Sequence, residues 1–286
     1  MENAIKTNIL TIDVEDWFMD AEFSTWPSYE NRLSEPINKI LQLLKEHNIK
    51  ATFFVLGYIA DTNPDLVVRI HTEGHEIGTH GYKHVPITQM TKESFSEDLH
   101  RSITALEQIT GKPIAGYRAC QFTIMKETAW AIDVLKRAGL QYDSSIFPVK
   151  TPLYGVPDAP LVPYPISSEN LIIPDFKSEF MEFPLSIYYT PIGTIPVAGG
   201  FYLRLFPYSL TRYFLKKINS QGKDIVFYFH PWELDPNQPV VNEFKWYHYY
   251  NLNSTHDKLK NLLRDFEFIS IREWMNRHGK RCNAVL

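Results

Sequence analysis

Cysteine is nearly missing from this sequence: Cys120 and Cys282 are its only two in 286 residues. Two thiols so far apart exclude a disulfide framework and a cysteine-built zinc cluster, so any bound metal has to be held by histidine and carboxylate. No apolar run reaches the length of a bilayer span. The opening Met1-Glu2-Asn3 lacks the charged, apolar and small-residue segments of a secretory leader. A cytoplasmic protein without a transmembrane segment is the expectation. Positive charge is not in excess either, and a formal net charge of −4 argues against a nucleic-acid partner. No internal repeat, low-complexity tract or convincing serine or cysteine nucleophile is present, and oligomeric state stays open.

What is present is ordinary globular material, 44% apolar and 22% charged, sufficient for one domain over 1–286 and matching the length of a single α/β barrel. Short apolar runs alternate with helical periods. Residues 9–12 read as a strand. A helix follows with Ser34 as N-cap, Ile37, Ile40, Leu41 and Leu44 on one face, and an end near His47. Residues 51–56 form a continuous, buried type of strand closed by Gly57. Asn63-Pro64 opens a helix that Gly74 stops, and Phe95, Leu99, Ile103 and Leu106 mark another that Gly111 stops. Further strands are expected at 114–117, 141–142, 224–229 and 266–269, with helices over 126–138, 208–219, from Thr255, and around Trp274. This alternation is the pattern of parallel βαβ units. Residues 147–200, rich in proline, break it and read as an irregular insertion over the sheet or barrel mouth.

Polar residues gather where these strands should end. His80 and His84 lie four apart on a turn interrupted by Gly78 and Gly81, the spacing of two ligands to one ion when the backbone doubles back. Asp13, Glu15 and Asp16 crowd the end of the first strand; close carboxylates call for a cation or a shared proton, and strand periodicity puts Asp13 and Glu15 on one face. Arg118, Asp143 and His230 follow later strands. Taken singly, each has a structural reading as a surface cation, a cap or a hydrogen-bonded strand-end histidine. Those readings do not explain the recurrence at carboxyl ends of successive strands, where barrels build their sites. Two histidines and one carboxylate leave room on an ion for water and a carbonyl oxygen, and a hydrolase then needs a base and an acid.

The motifs Thr11-Ile12-Asp13-Val14-Glu15-Asp16, Ala51-Thr52-Phe53-Phe54, Gly74 to His84, Arg118, Tyr142-Asp143-Ser144-Ser145 and Phe229-His230-Pro231-Trp232-Glu233 together resemble the polysaccharide deacetylase family, also called NodB homology or carbohydrate esterase family 4. Gly199 to Tyr208 and His230 to Pro236 are similar to its branch from exopolysaccharide and exosortase gene clusters. The resemblance spans the chain and implies a distorted (β/α)7 TIM-like barrel that removes acetyl groups from an N-acetylated sugar with a divalent metal. Zinc is the default, with cobalt, nickel or manganese as alternatives. It further implies Asp13 as base, His80 and His84 as metal ligands, Arg118 as holder of the base, Asp143 as the acid that orients a catalytic His230, and His230 as proton donor. One position departs: Val14 stands where the commoner motif has its metal-binding aspartate. Glu15, two after the base, is preferred in that role, with Asp16 as the alternative. Trp17, Phe201, Tyr202 and Trp232 are candidates to line a sugar site, although such aromatics also suit a core. Competing functions are a glycosidase using carboxylates among Asp13, Glu15 and Glu233, a same-fold amidohydrolase of small cyclic imides or ureides, and a barrel that binds glycans without turnover.

Overall fold

The computed structural model describes residues 7–151, 154–190 and 193–282. Its strands are β1 (Asn8–Val14), β2 (Thr52–Val55), β3 (Glu76–Thr79), β4 (Gly116–Tyr117), β5 (Tyr142–Asp143), β6 (Tyr164–Pro165), β7 (Met181–Glu182), β8 (Ile187–Thr190), β9 (Gly193–Pro196), β10 (Val226–Phe229) and β11 (Phe268–Ile269). The main sheet runs β10-β1-β2-β3-β4-β5-β7-β6, with β11 joined to β1 off this path. From β10 to β7 every pairing is parallel; β6 alone is antiparallel, to β7. The result is a curled, open form of the expected seven-stranded parallel barrel. Its seam is narrowed by Ser186, whose N–H donates to the Val226 carbonyl at 3.2 Å and whose hydroxyl accepts the Val226 N–H at 2.9 Å.

β1 is buried over its whole length and divides its side chains between two layers. Leu10, Ile12 and Val14 join the cluster beneath the outer helices, whereas Ile9 joins the interior with Phe54, Tyr142, Phe183 and Tyr228. Alternation then turns Thr11 and Asp13 inward as well. The interior is tight: a Cβ on Gly116 would lie 2.0 Å from the Tyr142 ring.

The helices are α1 (Ser34–Glu46), α2 (Gly57–Thr62), α3 (Pro64–Thr72), α4 (Lys92–Thr110), α5 (Ala131–Arg137), α6 (Gly200–Leu205), α7 (Tyr208–Ser220), α8 (Trp246–Tyr249), α9 (Thr255–Asp265) and α10 (Ile271–Cys282). Among the described residues none is long and apolar enough to cross a membrane. Helix α4 carries the expected stops, with a Thr91 side-chain cap and Gly111 left-handed at φ 64°. Three local expectations need correction. Ser34 is the first residue of α1 rather than its cap. Gly57 opens α2 instead of closing the strand before it. The helix expected over 126–138 is reduced to a 3-10 turn and α5.

The segment read as an insertion also contributes to the barrel. It supplies β6 and β7, and only the β8–β9 hairpin stands apart as a separate sheet. Two-residue strands carry no alternation to detect. β7 is instead tied to β5 by a buried acid pair, since Glu182 is the register partner of Asp143. Glu182 Oε1 accepts the Ile146 N–H at 2.9 Å, while the buried Oε2 has no N–H donor and lies against Asp143.

Burial raises both carboxyls, Asp143 to about 6 and Glu182, also beside the Asp143 charge, well above its ordinary value. The folded pair therefore keeps a proton that free carboxylates release near about pH 4. The stability tied to that proton is present in full below about pH 4 and is lost as pH rises through the folded values. Glu182→Gln, whose amide can donate to Asp143 without a proton to lose, should flatten the fall in melting temperature between about pH 5 and pH 8. A fall as steep as that of the parent chain would count against the shared proton.

Candidate functional site

β3 ends at Thr79, and the chain after it doubles back through Gly81 at φ 75° and His84 at φ 55°. Glycine takes this left-handed conformation freely, whereas His84 has to be held in it. Asp98 of α4 helps to hold it, accepting the Tyr82 N–H at 2.7 Å and the Lys83 N–H at 3.2 Å. The turn brings both imidazoles to one carboxylate. His80 Nε2 lies 2.9 Å and His84 Nε2 3.0 Å from Glu15 Oε1, and all three side chains are buried.

The opposite ring nitrogens are committed. His80 Nδ1–H donates to the Arg118 carbonyl at 2.7 Å and His84 Nδ1–H to the Met19 carbonyl at 3.0 Å. A carbonyl only accepts, so in the neutral rings both Nε2 atoms keep lone pairs aimed at a carboxylate oxygen. Three acceptors facing one another need a cation or added protons between them. Glu15, His80 and His84 thus fit a divalent ion by donor type, by convergence within 4.8 Å and by preset tautomer.

Asp16 is not brought into this group. Its carboxylate accepts the Trp17 and Arg32 N–H groups, each at 2.8 Å, and burial pushes it up to about 6. Glu15 lies one residue beyond the last strand residue and still follows the alternation of β1, whereas Asp16 ties down the loop. Asp13 is gripped from below. Arg118 Nη1 donates to its two oxygens at 3.1 and 3.0 Å, while Nη2 reaches Thr11 Oγ1 at 3.1 Å and Ser144 Oγ at 2.9 Å.

His230 follows β10 with its Nε2 3.9 Å from Glu15 Oε1. Burial works against its charged form, but Glu15 and then Glu233 outweigh that and lift it to about 9. The expected partner Asp143 does not touch it. Asp143 is captured by the Ser145 hydroxyl at 2.5 Å and N–H at 3.2 Å, and Glu233 takes the orienting position, its Oε1 accepting His230 Nδ1–H at 2.8 Å and the His230 N–H at 3.1 Å. A sequence signal for this existed. Pro231 starts a 3-10 turn over Pro231–Leu234, and such a turn returns residue i+3 to residue i.

The aromatic candidates separate. Trp17, 2% exposed, packs on Phe18, Tyr29 and Phe244 and belongs to the core. Trp232 is stacked between His230 and His248, with centroids at 5.2 and 4.2 Å. Phe201 and Tyr202 are half-buried and meet edge to face at 5.5 Å.

A family profile described as polysaccharide deacetylase matches residues 22–142, and one described as a domain of unknown function, DUF3473, matches residues 144–276. An uncharacterized 30.6 kDa protein of Geobacillus stearothermophilus is 37% identical over 84 residues, 29% of this chain and 31% of that protein. A peptidoglycan-N-acetylglucosamine deacetylase of Bacillus cereus is 40% identical over 73 residues, 26% of each chain. The matched stretch thus spans less than a third of these relatives' own length. Among solved structures, a protein of Mycobacterium smegmatis, itself assigned only provisionally as a polysaccharide deacetylase, superposes with TM-score 0.62 at 20% identity, covering 98% of this chain and 93% of the other. At that identity the likeness speaks for the fold.

The geometry separates the two acids that follow Val14. Glu15→Ala and His84→Ala should each weaken metal binding by more than the roughly 10–100-fold that loss of an outer partner costs, whereas Asp16→Asn should leave it unchanged. Metal content after dialysis against a weak chelator reads both, and loss of metal in Asp16→Asn would reverse the assignment.

Proposed function

We propose, from the premise that residues 22–142 belong to the polysaccharide deacetylase family, that the chain is a metal-dependent hydrolase removing N-acetyl groups from an N-acetylated sugar. One observation carries the reading: two Nε2 atoms with committed Nδ1–H groups converge on Glu15 Oε1 at 2.9 and 3.0 Å. Glu15, His80 and His84 would hold the ion, with zinc the preferred metal for this ligand set. Bound there, a divalent ion supplies a Lewis acid that acidifies water and polarises the amide carbonyl.

The remaining work falls to side chains of this protein. Asp13, immobilised by Arg118, takes a proton from the attacking water. His230 carries a proton on Nε2 and gives it to the nitrogen of the breaking C–N bond, so that the sugar leaves as an amine and the acyl group as acetate. Glu233 accepts His230 Nδ1–H throughout and keeps Nε2 directed at the site. Asp143 has a structural role in this scheme. The whole of 1–286 acts as one catalytic unit, since neither the base nor the acid lies within 22–142.

The substrate is an N-acetylated glycan of the cell surface, an exopolysaccharide or its precursor. The stretches Gly199 to Tyr208 and His230 to Pro236 support the exopolysaccharide branch, and the peptidoglycan deacetylase among the relatives supports an N-acetylglucosamine unit. Phe201, Tyr202 and Trp232 are the aromatic side chains assigned to line such a sugar, Trp232 lying stacked on the His230 ring at 5.2 Å.

Acetate release from N-acetylglucosamine oligomers tests the reading. Chelation should abolish it and zinc restore it. His230→Ala should keep its metal while kcat falls about 10²–10⁴-fold, the usual contribution of a general acid. Undiminished release in the presence of chelator, or metal loss in His230→Ala equal to that in His80→Ala, contradicts the division of roles.

A further inference from the structure

Helix α6 has no part in the proton transfers described so far, yet two of its residues close on the carboxylate behind His230. Arg204 is 1% exposed. Its Nε donates to Glu233 Oε2 at 2.7 Å, and its Nη1 donates to the carbonyls of Tyr247, His248 and Tyr250 at 3.0, 3.0 and 2.7 Å. From the other side, Gly200 leaves the space that Glu233 fills, because a Cβ on Gly200 would lie 1.7 Å from Glu233 Oε1. The helix itself is fastened by Lys258, whose Nζ donates to the carbonyls of Leu203, Arg204 and Phe206 at 3.0, 2.9 and 2.8 Å. Glu233 is fully buried. With one oxygen on Arg204 and the other on His230, it has no freedom to rotate.

We propose that Arg204, with the space left by Gly200, is the positioning residue of the proton donor: it fixes Glu233, and Glu233 fixes the tautomer and direction of His230. This rests on the function proposed above. A guanidinium suits the task because its planar fork can hold a carboxylate at Nε while spanning backbone carbonyls from Nη1. The ionised form of Glu233 is opposed by burial, but Arg204 and His230 more than offset that and hold it below the ordinary carboxylate range. Without Arg204, a buried carboxylate would lose its permanent counter-charge and compete for the proton that His230 must keep.

The leaving group discriminates this role from a purely structural one. A sugar amine has to be protonated as it departs, whereas 4-nitrophenolate leaves unprotonated. Arg204→Met should lower kcat on N-acetylglucosamine oligomers about 10–100-fold, with KM within about twofold and metal content unchanged. Its hydrolysis of 4-nitrophenyl acetate should fall less than about threefold. Arg204→Met/His230→Ala should be no slower than His230→Ala alone, as expected of residues acting in series.

Equal losses on both substrates, or losses that multiply in the double variant, would overturn the proposal. Where Arg204→Met does not fold, Gly200→Ala, which displaces the Glu233 carboxylate by contact rather than by charge, is read by the same comparison. If the parent chain releases no acetate, the proposed function fails and ¹⁵N NMR of the His230 ring decides the positioning separately. A hydrogen-bonded Nδ1–H signal lost in Arg204→Met supports it, and an unchanged signal refutes it.

Discussion

One buried arginine holds Asp13 and the imidazole pair of the candidate site together. Arg118 is fully buried, and the rings of Phe54, Phe122 and Tyr228 surround it at 4.8 to 5.6 Å. An arginine buried there needs a carboxylate, and Asp13 meets Nη1 with both oxygens. Removing the arginine would leave Asp13 an unpaired buried charge, a change of about 3–5 kcal/mol. The same residue uses its backbone carbonyl to take the His80 Nδ1–H. The position of Asp13, the proposed base, and the tautomer of His80 are therefore set by one residue at the end of β4.

Where chemistry and period coincided, the sequence was readable. Alternation along β1 carried Glu15 inward with Asp13, and the glycine-broken run after β3 announced a loop able to fold His84 back toward His80. The long buried strands and helices α1, α3, α4, α7 and α9 lie where apolar spacing put them. Two kinds of feature were not readable. Strands β6 and β7 have two residues each, too few for a period, and were absorbed into an apparent insertion, whereas the equally short β4 and β5 lie where strands were expected. The other kind is competition between partners. Asp143 and Glu233 are both acids near strand ends, and the local signal that favours Glu233 is Pro231, which starts a 3-10 turn directly after His230. The serine two residues after Asp143 satisfies it at short range, while the 3-10 turn begun by Pro231 returns Glu233 to His230.

The two family profiles meet near residue 143, but the sheet does not divide there. β5 ends at that point with β4 on one side and β7 on the other, and β1, outside both profiles, pairs with β10 from the second half and β2 from the first. The imidazoles and Arg118 come from the first matched region, His230, Glu233 and Arg204 from the second, and Asp13 and Glu15 from the strand before either. A fragment ending at the profile boundary would keep the imidazole pair and lose His230, the proposed proton donor. It would also expose the edges of β1 and β5 as unpaired backbone.

Counting the counter-charges of the buried acids shows where the site is incomplete. Asp13 has Arg118, Glu233 has Arg204, Asp235 has Arg32 at 2.6 Å, and Glu76 has Arg272 at 3.5 Å. Asp143 and Glu182 hold a proton between them, and Asp16 is satisfied by two backbone N–H groups. Glu15 has no arginine or lysine among the described residues, no backbone N–H donor and no carboxyl neighbour to share a proton with. Burial opposes its charge, and the only groups that hold its carboxyl well below the ordinary range are the imidazoles of His84, His230 and His80. His84 can supply positive charge only by taking up a proton at Nε2, the same atom that would ligate a cation. Protonation and metal binding therefore exclude each other at this point. Among the described residues the other buried carboxylates have an arginine, a shared proton or backbone N–H donors, whereas this one is left to the charge of whatever occupies the imidazole pair, which is what a site that must load an ion requires.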